Sequence, residues 1–209
     1  MEAAGTVAPV RLAVLASGTG TLLEAILADG LEVVLVVVDR PCRAVEVSEA
    51  AGVPVAQLLR DSFGKDFHRP AYTERVIAAL EDTDVDLVAI AGFGTVLSPA
   101  FVEAFSGRVL NTHPSLLPAF PGAHAPADAI AHGAKVTGVT VHFVDATLDG
   151  GPIIAQRALA IEDGDDAVSL HRRIQRLEHQ LLPEVVAQLA RGQLLCEGRA
   201  VRMVTRDAE

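Results

Sequence analysis

The chain alternates short, wholly apolar runs with amphipathic stretches, the rhythm of strands buried on both faces with helices packed over them. Residues 11–17 form the first apolar run, and residues 31–39, almost wholly β-branched, form the second. Between them, residues 21–29 place Leu22, Leu23 and Ile26 on one side, which predicts a strand–helix–strand unit. Pro41 blocks continuation of the second strand, residues 43–51 suit a helix closed by Gly52, and residues 53–58 predict a third strand.

The pattern continues through residues 70–80, a predicted helix with Tyr72, Val76, Ile77 and Leu80 on one face. Residues 86–91 and 108–110 are the next two buried strands, flanking a short helix whose start is marked by Ser98 at the cap and Pro99 at the first helical position. Residues 125–132 predict a helix ended by Gly133. Residues 136–144 and 152–161 are β-rich and separated by a loop too long for a tight turn, so they read as edge strands, at least one of them antiparallel. Asp165 and Asp166 then cap a long helix with Leu170, Ile174, Leu177 and Leu181 along one face. Pro183 is expected to kink or restart it. A last short strand is expected within residues 198–205, and residues 1–9 read as a flexible tail. With no repeat or linker, residues 10–209 are expected to form one α/β domain: a doubly wound, Rossmann-like, mostly parallel sheet with an antiparallel edge and a long C-terminal helix.

Composition narrows what this fold does. The longest apolar run, residues 33–38, is far too short to cross a bilayer, and the N-terminus lacks the basic start and apolar core of a signal peptide. Cys42 and Cys196 lie far apart with no ligand spacing around them, so neither a disulfide framework nor a metal site is expected, and the expected compartment is the cytoplasm. A net charge of −10 argues against nucleic acid or an anionic membrane as partner. It leaves small anionic substrates open, because a few backbone amides suffice to hold a phosphate.

Two places carry candidate chemistry. Ser17, Gly18, Thr19, Gly20 and Thr21 join the first strand to the first helix, where glycines admit a close ligand and free amides favour phosphate. Asp39 lies about 20 residues further on, where a dinucleotide's ribose-binding acid would fall, but Leu23 occupies the third glycine position of that fingerprint; a phosphate monoester is the better reading. The second place is Asn111 and His113, two residues apart at a strand end and therefore on the same side, followed by Pro114, Pro118 and Pro121. An amide and an imidazole without a Ser or Cys nucleophile suit stabilisation of developing charge and proton handling.

The string Asn111-Thr-His-Pro-Ser-Leu-Leu-Pro118, with Asp149-Gly-Gly-Pro152 after it, resembles the formyltetrahydrofolate-dependent formyltransferases, and the likeness runs from Arg11 to about Gly192. Within them it is most similar to the branch that formylates N1-(5-phosphoribosyl)glycinamide in purine biosynthesis. The resemblance implies 10-formyltetrahydrofolate as cosubstrate, no metal, and a monomer or homodimer. It implies Asn111, His113 and Asp149 as the catalytic trio, the carboxylate lying beside the imidazole and favouring its charged form. It implies Gly20, Thr21, Leu22 and Glu178 for the phosphoribosyl substrate, and Arg69, Gly94, Thr95, Val96, Leu97 and Asn111 for folate, with Phe93, Val144 and Leu148 along the folate cleft. Many relatives carry Asn at the place of Leu22, leaving the backbone amide to serve here. Many carry Met-Arg at the place of Gly94-Thr95, so a cationic rim is expected to be missing. His124 and His142 lie in matching segments without an assigned role, and His68, His132, His171 and His179 fall in no motif and read as surface residues. The alternatives are a methionyl-tRNA formyltransferase, for which the chain is short and acidic, a formyltetrahydrofolate hydrolase, and a non-catalytic folate- or nucleotide-binding protein.

Overall fold

The computed structural model describes residues 10–62 and 64–203; the expected tail at residues 1–9 lies outside them. Seven strands form one sheet: β1 (Leu12–Ala16), β2 (Val33–Val38), β3 (Val55–Gln57), β4 (Leu87–Ile90), β5 (Val109–His113), β6 (Val136–Phe143) and β7 (Ile153–Ala160). Their spatial order is β3-β2-β1-β4-β5-β6-β7. The first five run parallel, β6 is antiparallel to β5, and β7 is antiparallel to β6. The helices are α1 (Thr21–Ala28), α2 (Ala44–Ala50), α3 (Arg69–Glu81), α4 (Pro99–Ala104), α5 (Ala125–Ala131) and α6 (Ala167–Ala190).

The continuous apolar strands follow from this layering. Leu12, Val14 and Ala16 of β1 face a core shared with Leu22, Leu23 and Ile26 of α1 and Leu170 and Ile174 of α6. Ala13 and Leu15 face the opposite core, with Tyr72, Val76 and Leu80 of α3 and Phe101 of α4. A strand covered on both faces has no polar side to show. The strand order reverses direction between β1 and β4, so the loops leaving their carboxyl ends diverge and open a crevice, the place where such sheets take ligands.

Three expectations are revised. Residues 108–110 were too short a strand: β5 runs to His113, so Asn111 and His113 are themselves paired in the sheet, Asn111 opposite His142 and His113 opposite Thr140. The long helix passes through Pro183 without a restart. Proline inside a helix costs about 3 kcal/mol, but Leu182, Val185 and Val186 around it are buried, each contributing about 1.5–3 kcal/mol, so packing wins. The helix start is as expected, with Asp166 accepting from the amides of Val168 and Ser169 at 3.0 and 2.7 Å. Finally, the C-terminal segment makes two strands, β8 (Leu194–Glu197) and β9 (Ala200–Met203), paired as a separate antiparallel hairpin. Gly198, at φ +61°, supplies the left-handed residue that its two-residue turn needs.

Candidate active site

Two clefts open at the carboxyl ends of the parallel strands, and Asn111 borders both. The first, about 360 Å³, is walled by Ile90, Phe93, Leu97, Phe101 and Val144, with Thr95, Val96, His142, Leu148 and Asp149 completing it. The second, about 280 Å³, lies between residues 18–22 after β1, residues 90–93 after β4, and the His171, Gln175, Glu178 and His179 edge of α6.

Beneath their junction lies a polar cluster. His142 Nδ1 is 2.8 Å from the Phe143 carbonyl, so that nitrogen donates. Its Nε2 is then the acceptor for the Asn111 amide at 3.3 Å. Burial pulls the His142 imidazole below the ordinary histidine range, although the Phe143 carbonyl and Asp149 oppose this; a neutral ring is what the acceptor role demands. Asn111 keeps its second N–H for a ligand. Asp149 lies alongside, Oδ1 3.9 Å from His142 Nε2 and Oδ2 3.4 Å from His113 Nδ1.

His113 is 4% exposed and belongs to neither cleft wall. Its Nε2 is 2.8 Å from the Phe120 carbonyl, so both ring nitrogens face oxygen atoms, one of a carbonyl and one of a carboxylate. The segment that turns Phe120 back onto the ring is pinned to the sheet edge. Thr140 Oγ1 donates to the Ser115 carbonyl at 2.7 Å and accepts from the Leu117 amide at 3.0 Å, while Gln156 donates to the Leu117 carbonyl at 2.8 Å. The Gly122 amide then donates to Asp149 Oδ2 at 2.8 Å. The proline-rich stretch therefore fixes imidazole and carboxylate together.

In the second cleft, Gly20, Thr21 and Leu22 present the start of α1, an eight-residue helix whose first amides have no intrahelical acceptor. Glu178 faces them. It is 9% exposed and has no hydrogen-bond or ion-pair partner among the described residues, and burial pushes its carboxyl up to about 7. Burial also pulls His171 and His179 below the ordinary histidine range, with Glu24 opposing this at His179. The chain's own charges thus leave Glu178 unsatisfied, and this has a measurable cost. Its folded value lies above its unfolded one, so between pH 4.5 and about 7 the folded protein holds a proton that the unfolded chain has released. Stability falls as pH rises through that window, by about 3 kcal/mol at its end. Glu178→Gln should therefore raise the urea-unfolding free energy at pH 8 by about that amount and leave it unchanged near pH 4.

Residues 10–186 match the family model described as Formyl transferase. The chain belongs to the formyl transferase family. Phosphoribosylglycinamide formyltransferase from Mycobacterium tuberculosis is 48% identical over 202 residues, covering 94% of this chain and 92% of that protein. The Bacillus subtilis protein of the same name is 38% identical over 186 residues, covering 86% of this chain and 94% of its own. Among solved structures, glycinamide ribonucleotide transformylase 1 from Symbiobacterium toebii superposes with a TM-score of 0.87 at 39% identity, over 94% of this chain and 95% of that one.

On this formyl transferase, the residues singled out from sequence are distributed unevenly. Thr95, Val96, Leu97, Asn111 and Asp149 line the first cleft, as do Phe93, Val144 and Leu148. Gly20, Thr21, Leu22, Asn111 and Glu178 line the second. Arg69, the first residue of α3, and Gly94 lie outside both walls. Asp39, the ribose-binding acid of the rejected dinucleotide reading, is fully buried and occupied: Arg40 donates to it at 2.9 and 3.1 Å and Thr95 at 2.6 Å. Burial pushes its carboxyl up, and the bonds from Arg40, Ser17 and Thr95 outweigh this and hold it below the usual aspartate range. Arginines nonetheless flank the Gly94-Thr95 segment from other elements. A β-carbon at position 94 would sit 2.5 Å from the Arg40 guanidinium, and Arg60 donates to Thr95 Oγ1 at 3.4 Å. Sequence reasoning missed His171, Gln175 and His179 as cleft residues. Their spacing, four residues at a time and one step along from the apolar face of α6, carried the signal. His68 also has a role, accepting from the Ala71 amide at 3.2 Å at the start of α3.

Proposed function

We propose that the protein transfers a formyl group from 10-formyltetrahydrofolate to the amine of N1-(5-phosphoribosyl)glycinamide. The observation that carries this reading is Asn111 standing on the border of both clefts. The flat pteridine of the donor suits the apolar walls of the first cleft, bringing its formyl carbon to Asn111. The phosphate suits the amides at the start of α1, and the ribose hydroxyls suit Glu178, bringing the amine to the same point from the other side. Holding two reactants in attack geometry is worth about 7–11 kcal/mol in well-oriented systems, so much of the acceleration follows from this arrangement.

The amine nitrogen attacks the formyl carbon and a new C–N bond forms. The carbonyl oxygen becomes negative, and the second N–H of Asn111 donates to it. The amine proton leaves and the folate nitrogen gains one, delivered by a water held at Asp149, as the bond from that nitrogen to the formyl carbon breaks. His113 packs against Asp149 and aims it, and when the ring carries a proton its positive charge favours the oxyanion. The formyl group passes directly between substrates, with no adduct to the protein. The test follows the absorbance of deformylated folate with three acceptors: phosphoribosylglycinamide, an aminoacyl-tRNA, and water alone. Rapid turnover with phosphoribosylglycinamide only is expected; equal release in water would mean hydrolysis, and donor binding without release to any acceptor would mean a binding protein. The reading further takes residues 10–209 as one catalytic domain acting on small molecules as a cytoplasmic monomer or homodimer.

A further inference from the structure

Residues 145–149 of the loop that carries Asp149 line the first cleft, and the tip of that loop is exposed, Leu148 at 71%. Its shape is demanding. Asp149 adopts φ +49°, in the left-handed region that costs a non-glycine residue about 1–3 kcal/mol. A β-carbon at Gly151 would stand 1.9 Å from the Phe143 carbonyl oxygen. Inside the loop, Asp145 accepts from the Thr147 amide at 2.8 Å and the Gly150 amide donates to the Thr147 carbonyl at 3.2 Å.

One further contact comes from the far end of the chain. Arg199, in the turn between β8 and β9, donates from Nη1 to the Gly150 carbonyl at 2.8 Å. This is the residue immediately after Asp149. The hairpin is a fixed platform for the contact, because Leu194 and Val201 pack against the main core and β9 lies beside β7. It lies beyond the residues 10–186 matched by the family model. We infer that Arg199 is a positioning residue: the C-terminal hairpin clamps the loop that carries Asp149 and so holds that carboxylate over the cleft. The inference rests on the role proposed for Asp149.

An exposed charged hydrogen bond adds little to global stability. The Gly122 amide and His113 hold the Asp149 side chain, and on this strained loop the Arg199 bond to the adjoining backbone biases the ratio of held to released conformers. A charge-assisted bond discounted for exposure corresponds to roughly a tenfold change in that ratio. Arg199→Ala should therefore lower kcat about tenfold, alter the pH dependence of kcat, and speed amide hydrogen exchange in residues 145–151 by a similar factor, with exchange in β1 and β4 unchanged. Arg199→Lys keeps a cationic donor for one carbonyl and should restore both. Parental kinetics and exchange in Arg199→Ala would overturn the inference. So would a loss that lysine does not restore, or exchange that rises throughout the sheet. Asp149→Asn, measured in parallel, separates the layers: if it keeps full activity, the proposed role of Asp149 fails; if it is inactive while Arg199→Ala is unaffected, only the clamp fails.

Discussion

Asn111→Ala is expected to lower kcat for formyl transfer to phosphoribosylglycinamide by about 10²–10³, the usual cost of removing one donor to a developing oxyanion. Its amide has one N–H committed to His142 Nε2 and one available where the two clefts meet. The ground-state carbonyl is a weaker acceptor than the oxyanion, so KM for either substrate should change far less than kcat. Steady-state kinetics with each substrate varied in turn checks this. A rise in KM with kcat preserved would place Asn111 in ground-state binding and move the reaction centre elsewhere.

His113→Ala should produce a loss of similar size, about 10² or more, for a different reason. The ring is buried against Asp149 and bonded to the Phe120 carbonyl, so its removal leaves the carboxylate without its partner and frees the 114–122 segment at one end. His113→Gln discriminates among causes, because glutamine offers an N–H to Asp149 without carrying a positive charge. Both variants should fall together in single-turnover rate. Recovery by glutamine would reduce the imidazole to a spacer between Asp149 and the backbone.

The fold was legible wherever one local rule decided it. The apolar runs of β1, β2 and β4 have no polar face, which only a doubly covered sheet explains, and Ser98-Pro99 and Asp166 marked their helix starts without help from tertiary structure. The reading faltered where a distant partner decides. Pro183 breaks a helix in isolation, and only the burial of its neighbours keeps α6 whole. The hairpin at residues 194–203 has an exposed Leu195, Cys196 and Glu197, so no alternation announced it. The candidate site divides in the same way. Asn111, His113 and Asp149 lie in strings specific enough to stand alone. The bond from Asn111 to His142 depends on a β5–β6 register set across the long 114–135 connection, which no short-range pattern reveals. The histidines of α6 become cleft residues only because α1 and the 90–93 loop end opposite them. Arg40 and Arg60 likewise reach Gly94 and Thr95 from the segments that follow β2 and β3, strands whose order in the sheet decides their neighbours.

The central claim is that Asn111 and His113 act on one developing charge, and a double-mutant cycle in single-turnover formyl transfer tests it most directly. With both substrates saturating, the rate is measured for the parent, Asn111→Ala, His113→Ala and the double variant. Groups that serve the same charge are coupled by about 0.5–3 kcal/mol. The double variant is therefore expected to lose less than the product of the two single losses, by about twofold at the least and by about a hundredfold at the most. A loss equal to the full product would mean that the two side chains act independently, and would contradict the account.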